Sequence, residues 1–188
     1  MKYIIILLCG VLLYINNSSY DLDFGSVIGS VNGVDSYSSY KAVKPYQKNY
    51  INNIFTGLKW QCVEFARRYL IITKYITFKE INNAYELFDI KHFTSLKDNS
   101  MIQIQKCKNG SHIKPHKVSL LIWKQMTDNI NGHVAIITQI NLDSIMICEQ
   151  NYKNIKWGNN YSRILKFKYN NGFYIEDKNI IGWINILE

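Results

Sequence analysis

GLKWQCVEFARRYL, residues 57–70, opens as a turn and continues as a helix, with a cysteine at the join. From Cys62 onward Val63, Phe65, Ala66, Tyr69, Leu70 and Thr73 recur at steps of three and four. That spacing predicts an amphipathic helix with a broad buried face. Glu64 falls in the first turn, where a negative charge complements the helix dipole, and Arg68 stands four residues on as its partner. The helix therefore starts at about Gln61 or Cys62. A thiol placed there meets unpaired N–H groups and the positive end of the dipole, which draw its pKa below the free value of about 8.5. A free cysteine is more commonly a small buried hydrophobe, and the helix alone leaves both readings open.

Upstream, Phe24–Tyr40 alternates small, apolar and turn residues and predicts a strand or two with loops. Downstream, KEINNAYELF (79–88) predicts a second helix, with Ile81, Ala84, Tyr85 and Phe88 on one side. After a loop around KNGSHIKPHK the pattern turns to short apolar or alternating runs: VSLLIWK, GHVAIITQI, SIMICEQN, SRILKFKYN and IIGWINIL. Asn, Gly and Asp separate them, as expected of strands. Helices first and antiparallel strands afterwards define an α+β domain.

The chain has 188 residues, 47% of them hydrophobic, enough for one packed core. Lys2 precedes an apolar run from Tyr3 to Ile15 and then a polar Asn/Ser segment, so residues 1–19 read as a signal peptide or short N-terminal anchor, and 20–188 as the domain. The run is well short of the roughly 20 apolar residues a bilayer needs, so no stable membrane span is expected. Secretion is the expected fate, with anchoring by an uncleaved leader as the alternative. The net charge of +8 is spread among Asn, Ile and Tyr without a dense basic track, which argues against nucleic-acid binding.

Of four cysteines, Cys9 lies in the leader, leaving Cys62, Cys107 and Cys148. Cys107 and Cys148 are candidates for a disulfide if the chain is exported, with Cys62 left over. No cysteine or histidine spacing suits zinc, and Asp21 and Asp23 lack the further acids of a calcium loop. No metal or cofactor is expected.

A nucleophilic thiolate needs an acid–base partner, held in turn by a third group. His133 follows Gly132 at the start of a predicted strand that turns and returns. If Thr138 pairs with Ser144, then Ala135 faces Ile147 and His133 lies directly opposite Glu149, with Cβ atoms about 4.5 to 5.5 Å apart. Cys148 then points to the other face, as core. His92, His112 and His116 sit in polar surroundings and read as surface residues.

The order Cys62, His133 after glycine, and Glu149 in EQN resembles the CHAP amidases of the papain-like, NlpC/P60-related group. WQCVEFARRYL, NGS followed by LLIW, GHVAIITQ, EQN and IIGWI are similar, in order, to the amidase domain of the glutathionylspermidine and trypanothione synthetase/amidases. The resemblance runs from about Phe24 to the C-terminus. It implies a papain-like fold with N-terminal helices packed on an antiparallel sheet. It further implies that Cys62 attacks an amide carbonyl to form a thioester, that His133 moves the proton, and that Glu149 orients His133. Backbone N–H at Cys62, with Gln61, would hold the oxyanion, and Arg67 would bind a substrate carboxylate or carbonyl; a surface salt bridge is the equal alternative for Arg67.

The implied substrate is a glutathione–polyamine conjugate, hydrolysed rather than made, because the synthetase part of the bifunctional relatives has no counterpart here. A secreted hydrolase of peptidoglycan peptide amides is the second expectation, and a non-catalytic binding module the third.

Overall fold

The computed structural model describes residues 22–41 and 47–187. The expected leader, with Cys9, and Asp21 lie outside the described residues. Two hairpins come first. β1 (Val27–Val31) pairs with β2 (Val34–Tyr37), and β3 (Lys48–Ile51) pairs with β4 (Ile54–Leu58). The second hairpin lies in a stretch the sequence left unassigned. Its signal is Asn52-Asn53, both at positive φ (48° and 62°), the geometry a two-residue hairpin turn demands.

Helix α1 (Cys62–Lys74) ends on Tyr75 in the left-handed conformation. It buries Phe65, Ala66, Tyr69 and Leu70 completely. At about 1.5–3 kcal/mol per fully buried large side chain, this docking outweighs the few tenths by which helix propensities of ordinary residues differ. The second helix is corrected. Residues 79–83 are not helical, and a single 3-10 helix spans Ala84–Asp89. Asn82 N–H and the Asn83 amide both bond Glu86, a local arrangement that competes with extending an α-helix upstream.

The remaining strands are β5 (Ile76–Thr77), β6 (His92–Ser95), β7 (Met101–Lys108), β8 (Leu120–Trp123), β9 (His133–Ile140), β10 (Ser144–Cys148), β11 (Arg163–Tyr169), β12 (Phe173–Ile175) and β13 (Ile180–Ile186). They form one nine-stranded antiparallel sheet in the order β12-β11-β10-β9-β8-β13-β7-β6-β5. The architecture is α+β. Its centre is buried on both faces, which explains the unbroken apolar run LLIW. Leu120 and Ile122 join Val134, Ile136 and Ile184 under α1, while Leu121 and Trp123 join Ala135, Ile137 and Trp183 in a second cluster.

The sheet curls to close that second cluster. Its edge strand β12 reaches the loop after β7: Gly110 N–H bonds Phe173 O at 2.8 Å, and the Asn109 amide bonds Ile175 N–H and O at 2.9 Å each. Glycine is needed at the seam. A Cβ on Gly172, at φ +154°, would stand 2.2 Å from Gly110 O.

Two expectations fail here. Cys107 and Cys148 lie on β7 and β10, with three strands between them, and in separate core clusters. With one thiol packed in each core cluster, the two sulfurs are not placed to meet in disulfide geometry. All three described cysteines are free. The β9–β10 register also differs, with Ile147 opposite Ile137 rather than Ala135. Thr138 is an extra residue in a bulge, its hydroxyl bonded to Met146 O at 3.1 Å.

Candidate active site

Cys62 is the first residue of α1. The preceding Gln61 is extended (φ −85°, ψ 160°) and its side chain does not cap the helix. The first-turn N–H groups are therefore available to groups outside the helix. Gln61 is pinned from the far end of β10: its carbonyl accepts from Gln150 Nε2 at 3.1 Å, and its Oε1 from Asn151 Nδ2 at 2.7 Å.

Gly132 sets the start of β9. It sits at φ +65°, and a Cβ there would lie 2.6 Å from Trp123 O. His133 follows, 6% exposed, with its Nε2 2.8 Å from Glu149 Oε2. With the bulge, the register carries Glu149 across from Ala135. His133 is then a diagonal neighbour on the same face, within reach of a long side chain. The two meet as expected, although not through the direct pairing that led to the expectation. Nδ1 is the ring nitrogen that Glu149 leaves free, and Cys62 lies near enough for thiol and imidazole to shift each other's titration.

Burial pushes the Cys62 thiol up. The charge and hydrogen bond of His133, with N–H groups of Val134 and Val63, outweigh burial and bring it below its ordinary value. Burial likewise pushes His133 down, but the Cys62 charge and hydrogen bond, with Glu149, raise it to about 9. Both directions favour a thiolate–imidazolium pair. Glu149 is 1% exposed, and burial works against its charge, yet His133 and Arg163 hold its carboxyl at about 2.

Burial pushes Cys107 up, and burial with the Glu149 charge pushes Cys148 well up. Iodoacetamide near neutral pH is therefore expected to label Cys62 faster than Cys107 or Cys148, read by peptide mass mapping. Equal or slower labelling of Cys62 would remove the case for an activated thiolate.

Arg67 is buried, 3% exposed, so the surface-salt-bridge reading fails. Its guanidinium donates to Thr56 O (2.8 Å) and Lys79 O (3.1 Å) and stacks over Phe78 at 4.4 Å. Burial brings its pKa down to about 10. It also helps line a cleft of about 360 Å³ with Lys48, Gln61, Cys62, Glu80 and Asn131. A second hollow of about 280 Å³ opens on the imidazole side, lined by Trp123, His133, Tyr152, Arg163 and Asp177. His92, His112 and His116 are exposed. Among the described residues, no group of three or more His, Cys, Asp or Glu could hold a metal ion.

The sequence reading missed three residues. Gln150 is fully buried and bonds Glu64, Gln61, Arg68 and Tyr37 N–H. Ser162 and Arg163 both bond Glu149. Gln150 was legible in part, since EQN is a run of polar residues directly after an apolar strand. Ser162 and Arg163 carried no signal, because the path of the loop before β11 cannot be read from its composition.

A family model for the CHAP domain matches residues 53–151, which include Cys62, His133 and Glu149. The chain belongs to the CHAP domain family. This CHAP chain is 33% identical over 184 residues to the bifunctional glutathionylspermidine synthetase/amidase of Escherichia coli (strain K12), covering 89% of the chain and 30% of that protein. It is 30% identical over 171 residues to the trypanothione synthetase of Crithidia fasciculata, covering 86% of the chain and 26% of that protein. The CHAP chain thus spans under a third of the length of the curated relatives it matches.

Proposed function

We propose that this chain is a cysteine amidase acting on a small amide of the glutathione–polyamine type. The observation that carries the reading is the helix-start thiol of Cys62 beside the imidazole of His133, whose Nε2 is fixed on the buried Glu149 carboxylate at 2.8 Å. The substrate class is supported by the glutathionylspermidine synthetase/amidase relative.

The Cys62 thiolate attacks the amide carbon, and the electron pair of the C=O moves to oxygen. The unpaired N–H groups at the start of α1, that of Cys62 first, face this oxyanion, with Gln61 beside it. As the tetrahedral species collapses, the C–N bond breaks and imidazolium His133 gives its proton to the leaving amine. A thioester remains on Cys62. Neutral His133 then takes a proton from water as the hydroxide attacks the thioester, the C–S bond breaks to restore thiolate and imidazolium, and the carboxylic acid product leaves and gives its proton to solvent. The acyl part fits the cleft beside Cys62 and Arg67, and the amine departs toward the hollow beside His133, because the proton must come from that side.

The test is to incubate the purified protein with glutathionylspermidine and, separately, with peptidoglycan stem peptides, and to measure released amine. Release from the conjugate alone is expected, with activity falling above about pH 9 as His133 loses its proton. Release from stem peptides alone would replace the substrate assignment. Release from neither, with Cys62 normally reactive to iodoacetamide, would overturn both.

A further inference from the structure

The carboxylate of Glu149 is held by more than the imidazole. Arg163, the first residue of β11, donates from Nε to Oε1 at 2.7 Å and from Nη2 to Oε2 at 2.9 Å, a two-pronged grip. Ser162 Oγ adds a bond to Oε1 at 2.9 Å. With His133 on Oε2, both oxygens have two partners each, matching the roughly four lone-pair sites of a carboxylate. Any rotation of the group would break several of these bonds at once. Arg163 is itself stacked over the Tyr152 ring at 3.9 Å and the Trp123 ring at 5.2 Å. The same two rings flank His133, Trp123 at 5.4 Å and Tyr152 at 6.1 Å.

Position and charge make separate demands on this carboxylate. An oriented imidazole needs Glu149 fixed. An imidazole that must release its proton to an amine is poorly served by an uncompensated anion in a buried site, because that anion holds the proton back. A guanidinium on the far side of the carboxylate meets both demands at once.

We propose that Arg163 is a positioning residue of the thiol site, fixing Glu149 by its two hydrogen bonds and offsetting its charge so that His133 stays aimed at Cys62 yet can still give up its proton. The role in proton delivery rests on the amidase reading above. The groups facing His133 are Cys62 from α1, Glu149 beyond β10, Arg163 from β11, Tyr152 from the loop between them, and Asp177 before β13, whose carboxylate accepts from Trp123 Nε1 at 2.7 Å. Asp128 completes the hollow's charged wall.

The experiment measures the rate of Cys62 alkylation by iodoacetamide against pH for wild type, Arg163→Met and Arg163→Lys, by intact mass, with amine release followed in parallel. The upper inflection of the alkylation profile marks loss of the His133 proton. In Arg163→Met it is expected to move up by about one pH unit, since a unit charge several ångströms away in a buried site is worth about that much. Amine release at the optimum is expected to drop about ten- to a hundred-fold, as when an outer partner of an oriented imidazole is removed.

Arg163→Lys keeps the charge without the fork. It is expected to hold the inflection within about 0.3 unit of wild type while recovering only part of the rate. An inflection that stays or moves down in folded Arg163→Met, or that moves up by a unit in Arg163→Lys, overturns the proposal. Should the methionine variant not fold, the lysine variant decides alone. Alkylation needs no amide substrate. A protein that shifts as expected but cleaves nothing would therefore overturn the amidase reading and leave the Arg163–Glu149 coupling standing.

Discussion

Replacing Cys62 by alanine is expected to lower amine release by about 10⁴-fold or more without loss of the fold. In the mechanism proposed above the sulfur is the atom that bonds to carbon, and Cys62 is the one cysteine among the described residues that line the cleft. The structural cost is small: alanine is the best helix former, and only one heavy atom is removed from a residue 8% exposed at the lip of the cleft. The variant has a second readout. The Cys62 charge and hydrogen bond help to raise His133, so without the thiolate the imidazole should titrate below about 9 and nearer its ordinary 6.5. Histidine ring signals followed by NMR across pH would show this. A Cys62→Ala protein that still released amine at a hundredth of the wild-type rate would exclude thioester chemistry at this site.

The second large effect belongs to Glu64, whose replacement by leucine is expected to destabilise the protein by about 3–5 kcal/mol. Glu64 is fully buried and its carboxylate accepts five hydrogen bonds. Asn49, Thr56 and Arg68 Nε bond Oε1, at 2.9, 3.0 and 2.7 Å. Gln150 and Arg68 Nη2 bond Oε2, at 2.9 and 3.2 Å. Leucine would leave the buried Arg68 guanidinium without its counter-charge and the other donors without an acceptor.

Against a typical total of 5–15 kcal/mol, that loss is severe. Glu64→Gln, which keeps the shape and loses the charge, should be milder but of the same sign. Denaturant melts of the three proteins provide the check. A loss below about 1 kcal/mol for the leucine variant would mean that water or a shift of Arg68 replaces the network.

The thiol, the imidazole and its carboxylate were legible because each sits at a position where local rules are strong: a helix start, a strand start after glycine, and a strand end. Their convergence was reached by a register one bulge removed from the true one. A diagonal pair on one face of a sheet lies close enough for histidine and glutamate to bond, so the error in register did not separate them. Arg67 was open between two roles because nothing in CVEFAR says that Phe55 and Phe78 close over its guanidinium. β6, β7 and β12 passed unassigned because β6 and β12 are short and β7 carries a weak apolar pattern; β7 reads MIQIQKCK, with much of it exposed. The 3-10 helix was misjudged because six residues share the periodicity of a longer helix but not its hydrogen bonding.

Glu149, Gln150 and Asn151 leave β10 in sequence and each holds a different body: the imidazole, the first turn of α1 through Glu64 and the Gln61 carbonyl, and the Gln61 side chain. The imidazole and the helix start that carries the thiol are thus both referenced to one short piece of backbone. A small displacement of that strand end would carry both in the same direction, and their separation would be preserved to first order. Tolerance to breathing of the sheet then follows from where the fixings originate, without any single fixing having to be stiff.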